Sequence, residues 1–155
     1  MIKQTDGVMV DSRIGTVICP NCNAIMQRGL YVMRGMCPEC GCNEEPVIID
    51  DLIAPTIVVL NSKGYETVAC CSGHIGSSSG YIAFKNKDML ESLNNFYGRD
   101  YRFYNLSEDF IGDSTVVRWD IPNYRNSVID SIDAILSVNK LLYRWACSLE
   151  RSCND

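Results

Sequence analysis

Residues 64–85 read GYETVACCSGHIGSSSGYIAFK: two strand-forming arms around one turn-rich loop that holds the chain's single histidine. Tyr65 to Cys71 is rich in strand formers, and Tyr81 to Phe84 is short, aromatic and apolar. The loop SGHIGSSSG between them has three glycines and four serines in nine residues. Its backbone can turn sharply and present N–H and hydroxyl donors to a polar or anionic group. A hairpin linker needs far less, and loops of this chemistry carry sites disproportionately. The candidate site therefore starts from Cys70, Cys71, Ser72, Gly73, His74, Ser77, Ser78 and Ser79. The plain alternative is a flexible connector.

The 155 residues suffice for one ordinary core, or for a small module beside a modest domain, and the second organisation is expected. The chain is 46% hydrophobic and 21% charged, without an apolar run near the ~18 residues of a membrane span, so no membrane partner is expected. MIKQTDGVMVDSR at the start lacks the apolar core of a signal peptide, which points to a cytoplasmic protein. A net charge of −5 and a pI near 4.8 argue against bulk electrostatic grip on nucleic acid, though not against a local basic patch.

Nine cysteines, an odd number without an export signal, fit metal binding better than disulfides. In TVICPNCNAIMQRGLYVMRGMCPECGC, residues 16–42, Cys19 and Cys22 form one CxxC pair and Cys37 and Cys40 another, with fourteen residues between the pairs. Each pair closes a tight turn that sets two thiolates on one edge of a tetrahedron, and the intervening hairpin brings the second edge into register. This is the pattern of a zinc ribbon with a slightly short spacer. Four thiolates close the coordination sphere, so the zinc is expected to be structural and to supply the folding energy that a sparse core cannot. Cys42 reads as a bystander. At the hairpin tip, Arg28 and Arg34 flank Leu30, Tyr31, Val32 and Met33, a group better explained by packing than by nucleic-acid contact.

The expected division is 1–45, ribbon with its lead-in, and 46–155, an α+β ligand-binding domain. In the second part IIDDLIAPTIVVLNSKG reads as a helix that Asp50 or Asp51 caps and Gly64 stops. Two strands follow, then a helix over NKDMLESLNNFYG. DYRFYNLS is a strand, EDFIGDS an acidic turn and TVVRWDIP another strand. A last helix runs from Ser127 to Glu150 with Val128, Ile132, Ile135, Leu142, Trp145 and Leu149 as its buried stripe. The order ribbon, then α-β-β-α-β-β-α, predicts a compact α+β sandwich with a mainly antiparallel sheet.

Three chemistries fit ACCSGH. Cys70 or Cys71 could be a nucleophile with His74 as its base, making His74 and Cys71 the catalytic candidates. Cys71 and His74 have CxxH spacing and could be half of a metal site that Cys147 or Cys153 completes. Third, Cys71, Ser72, Gly73, His74 and Ser77 to Ser79 could bind a ligand, with Arg99, Tyr101 and Arg102 as walls. A strand end and turn without further role is the fourth reading.

The run from Ile48 to Phe84 resembles the core of the tRNA wybutosine-synthesising methyltransferase family. There a helix ending in INS leads to a strand, a TxSCSGR turn and a second strand. The matching positions are Leu60, Asn61, Ser62, Thr67, Cys71, Ser72 and Gly73, with His74 where the family has arginine. The run is also similar to small proteins of phages and low-GC Gram-positive bacteria that carry LNxKGYxTxxCCSGH before a YIxF strand. The first resemblance implies S-adenosylmethionine as cofactor and modification of a guanosine-derived base in RNA, although no GxGxG loop supports a methyl donor independently. The leading expectation is thus a zinc-ribbon protein that binds a nucleotide-like or nucleic-acid ligand at CCSGHIGSSSG. Its rival is a phage-encoded, anti-CRISPR-like inhibitor that inserts Asp100, Glu108, Asp109 and Asp113 into a basic cleft of a host nuclease or defence protein.

Overall fold

The computed structural model describes residues 15–26, 35–74, 79–85, 88–97, 104–120 and 128–152. Short strands β1 (Gly15–Ile18), β2 (Ile25–Met26) and β3 (Val47–Asp50) form one antiparallel sheet in the order β2-β1-β3. After helix α1 (Ala54–Ser62) come β4 (Thr67–Cys71), β5 (Ser79–Lys85), helix α2 (Leu90–Tyr97), β6 (Tyr104–Ile111), β7 (Ser114–Asp120) and helix α3 (Val128–Ser148). The four later strands make a second antiparallel sheet, β4-β5-β7-β6. The α+β class, the α-β-β-α-β-β-α order and the antiparallel sheet are as the sequence predicts.

One face of this sheet is apolar because alternate residues of the central strands point the same way. Ile82 and Phe84 of β5 and Val117 and Trp119 of β7 pack with Ile57 and Leu60 of α1, Leu93 of α2, and Ile135, Leu142 and Trp145 of α3. Phe84 meets Trp145 edge to face, ring centroids 6.3 Å apart, a geometry the ring quadrupoles favour. Ile18, Val47 and Ile49 of the ribbon sheet belong to the same core. Gly80 makes room for the fully buried Trp119 ring, since a Cβ there would lie 2.6 Å from it.

Three local expectations are corrected. Ile48 to Asp50 do not begin a helix: with Val47 they are β3, held extended by pairing with β1, where Gly15 faces Asp50. The N-cap of α1 is accordingly Ile53, with no side-chain cap bond and Pro55 in the first turn, and Asp50 is released for other work. EDFIGDS is not all turn. Glu108 to Ile111 continue β6, and Gly112 and Asp113 alone make the reversal, Gly112 with φ 60 as a type II′ hairpin requires. Ile132 is not in the buried stripe but 39% exposed, with Val138 and Ala146 buried in α3 instead.

Helix α1 ends where the sequence places its stop. Gly64 has φ 88, and Tyr65 N–H donates to Leu60 O while Gly64 N–H donates to Asn61 O, the paired bonds of a Schellman ending. Asn61 ties the helix to β4: its amide donates to Thr67 Oγ1 and its carbonyl accepts from Thr67 N–H, both at 3.0 Å. Lys63 then reaches carbonyls of the last turn of α3, at Ala146 and Cys147, and that of Leu149 just beyond it, neutralising groups that have no partner inside the helix.

Candidate functional site

The two CxxC pairs fold alike because they are written alike, CPNCN and CPECG. Cys19 N–H donates to Ala24 O and Asn23 N–H to Cys19 O; Cys37 N–H donates to Cys42 O and Gly41 N–H to Cys37 O. Each knuckle ends on a left-handed residue, Asn23 at φ 59 and Gly41 at φ 72, types that adopt this region at least cost. The four sulfurs lie within 4.8 Å of one another, a group able to hold a metal ion.

Geometry and chemistry both fit zinc. Thiolates about 2.3 Å from a central zinc define a tetrahedron with edges of about 3.8 Å. Cys19 and Cys40 stand 3.7 Å apart and Cys22 and Cys37 3.8 Å, far beyond a disulfide bond. Burial pushes the Cys19 thiol up to about 12 and raises Cys22 as well, whereas the Asn21 amide beside Cys40 draws that thiol down to about 6. A divalent cation would bring all four to the thiolate state. Cys42 stays outside this group, packed beside it and accepting from Glu44 N–H.

The second constellation lies where β4 leaves the sheet. Gly73 has φ 88, so the chain reverses directly after Ser72 and brings His74 back toward β3. Asp50 Oδ2 accepts from Ser72 N–H at 3.0 Å and from Ser72 Oγ at 3.1 Å, and lies 3.5 Å from His74 Nε2. Gly73 N–H points to Cys71 Sγ at 3.4 Å. From below, the buried Asn139 of α3 donates to Ser72 O at 3.1 Å, and its Oδ1 has no hydrogen-bond partner among the described residues. Asp50, Cys71 and His74 place one ligand atom each within a 4.8 Å group. The carboxylate here was not foreseen, because in sequence it looks like a helix cap.

Cys70 and Cys71 point to opposite faces. Cys70 opposes Ile82 and packs on the main core; Cys71 opposes Tyr81. Burial raises both thiols and the Asp50 carboxylate raises them further, against the Gly73 N–H at Cys71. That direction is opposite to the one that activates a nucleophilic cysteine.

The register adds two residues that sequence reasoning missed. Tyr81 opposes Cys71 on one side and Arg118 on the other, and directly opposed residues share a face. The Arg118 guanidinium lies 5.5 Å from the Tyr81 ring centroid and donates to Ser79 Oγ at 3.2 Å. Their signal was confined to strand alternation, which gives a face but not a neighbour. Ser72, Gly73, His74 and Ser79 are thus at the two ends of the loop, while Ser77, Ser78, Arg99, Tyr101 and Arg102, like the hairpin tip and Cys153, lie outside the described residues. Cys147 is not in the Asp50 cluster; it sits near the end of α3. Among the described residues no helix is long and apolar enough to cross a membrane.

Compared with family models, with curated proteins and with solved structures, the chain matches none of them.

Proposed function

We propose that the protein is a zinc-ribbon ligand-binding protein: Cys19, Cys22, Cys37 and Cys40 hold a structural zinc, and the turn from Cys71 to His74 receives a nucleotide-like or nucleic-acid ligand. The observation that carries the reading is the row Cys71, Tyr81, Arg118 across three strands, with His74 at its end. An aromatic face suits a base, and a guanidinium and an imidazole suit a phosphate. His74 is 48% exposed, so it is open to a ligand, whereas Asp50 behind it is only 13% exposed. Ser72 is locked to Asp50 and Asn139, which holds the turn in one shape before anything binds.

The wybutosine-methyltransferase resemblance extends this proposal to S-adenosylmethionine and to group transfer onto an RNA base. Thermal melting with S-adenosylmethionine, guanosine monophosphate and a short guanosine-containing RNA tests it. The expected result is a rise in Tm with at least one of them, lost in both His74→Ala and Arg118→Ala. No rise with any of the three refutes it.

A second reading rests on the β6–β7 hairpin. Phe110 is 69% exposed on an edge strand, beside exposed Asp109 and Asp113. An apolar anchor ringed by acids suits insertion into a basic cleft of a host nuclease or defence protein, the inhibitor function. Phe110→Ala together with Asp113→Lys would abolish such a complex and leave any nucleotide-induced Tm shift unchanged.

A further inference from the structure

The cluster at the turn carries more than ligand hydrogen bonds. We propose that Asp50, Cys71 and His74 form a second metal site, separate from the ribbon, that binds a zinc-class divalent ion through one carboxylate, one thiolate and one imidazole. This does not depend on the ligand reading.

Donor spacing is the first argument. A hydrogen-bonded imidazolium–carboxylate pair closes to about 2.8 Å. Two ligands each about 2.0 Å from one tetrahedral zinc stand about 3.3 Å apart. His74 Nε2 and Asp50 Oδ2 are 3.5 Å apart, nearer to the second geometry, and the Cys71 sulfur completes a triangle within 4.8 Å. Donor type is the second. A thiolate and an imidazole select a zinc-like ion over magnesium or calcium, which prefer oxygen.

The third argument is the support behind the ligands. Metal-binding carboxylates are usually oriented by hydrogen bonds from neighbours. Ser72 supplies two to Asp50, Gly73 supplies one to Cys71, and Asn139 fixes the Ser72 carbonyl from α3. Both Ser72 bonds fall on Oδ2, but the hydroxyl also lies 3.2 Å from Gly73 O and can turn to it, which frees a lone pair of Oδ2 for the ion. Three protein ligands leave a tetrahedral ion one open position, unlike the closed ribbon centre, and the half-exposed His74 gives a path from solvent.

The test is the metal content of the full chain, purified without added metal and dialysed against metal-free buffer, read by inductively coupled plasma mass spectrometry. About two zinc ions per chain are expected, falling to about one in His74→Gln and in Cys71→Ser. Cobalt reconstitution checks that the variants remain folded, because the intense thiolate-to-cobalt absorption of the four-cysteine centre should persist in both. A wild-type chain with about one zinc, or retention of the second ion by either variant, overturns the proposal.

Discussion

The four-cysteine centre and the turn cluster gather metal-binding side chains by different routes. In the ribbon, each half of the centre comes from one knuckle whose own backbone bonds, Cys19 to Ala24 and Cys37 to Cys42, shape it. At the turn, Asp50 comes from the end of β3, 22 residues before the Ser72 it binds, and Asn139 comes from α3, 67 residues after it. The first arrangement is local and repeated; the second exists only because two sheets and a helix meet. Loss of metal should therefore unfold the ribbon, whereas loss of the turn cluster should leave the sheets standing.

The largest effect is expected from Cys37→Ser. Structural zinc contributes about 10–16 kcal/mol in zinc-finger peptides, and here β1 and β3 also supply Ile18, Val47 and Ile49 to the main core. Amide hydrogen exchange should show β1 to β3 unprotected and Tm lowered, with one metal ion fewer; a variant that kept its full zinc content and protection would show that the centre is not structural. Next is Gly80→Ala, which drives a methyl into the buried Trp119 ring beneath the strand that carries Ser79 and Tyr81. A loss of about 3 kcal/mol in urea unfolding is expected, the upper part of the range for overpacking. Zinc in the ribbon should be unchanged.

Asp50→Ala should cost about 2 kcal/mol, because it strands the N–H of the buried Ser72, whose hydroxyl keeps Gly73 O as an acceptor. Asp51→Ala, which removes one exposed bond from Thr16, should cost about 0.5 kcal/mol or less. Equal costs in urea unfolding would mean that Asp50 has no special place at the turn. Smallest is His74→Gln, with about 0.5 kcal/mol or less on stability in protein that holds only its ribbon zinc, since half of the side chain faces water. A large loss there would make His74 a structural residue rather than a receptor.

The ribbon was legible because a knuckle is a short-range object: two cysteines, a proline and a left-handed residue within five positions fix its bonds. Helix α1 was half legible. Gly64 marked its end through a backbone conformation that other residues resist, but its start was hidden, as Asp50 satisfies the pattern of a cap and is taken by a strand instead. The acidic hairpin misled for a similar reason: Glu108 and Asp109 have the composition of a loop, and pairing with Val117 and Val116 overrides it. At the candidate site, Ser72, Gly73 and His74 were named from the loop's chemistry, while Asp50, Tyr81 and Arg118 were not.

By itself, then, the sequence determined the features whose cause lies within a few residues: the four-thiol centre, the Schellman ending at Gly64, the apolar faces and the order of helices and strands. Only the tertiary structure decided which of those pieces touch. Asp50 meets His74 because β3 pairs with β1 and ends beside β4, and Tyr81 stands between Cys71 and Arg118 because of strand register. The physical reason is that backbone turns and spacing are set by neighbours in the chain, whereas register and sheet-to-sheet contact are set by burying one shared core, which no short stretch encodes.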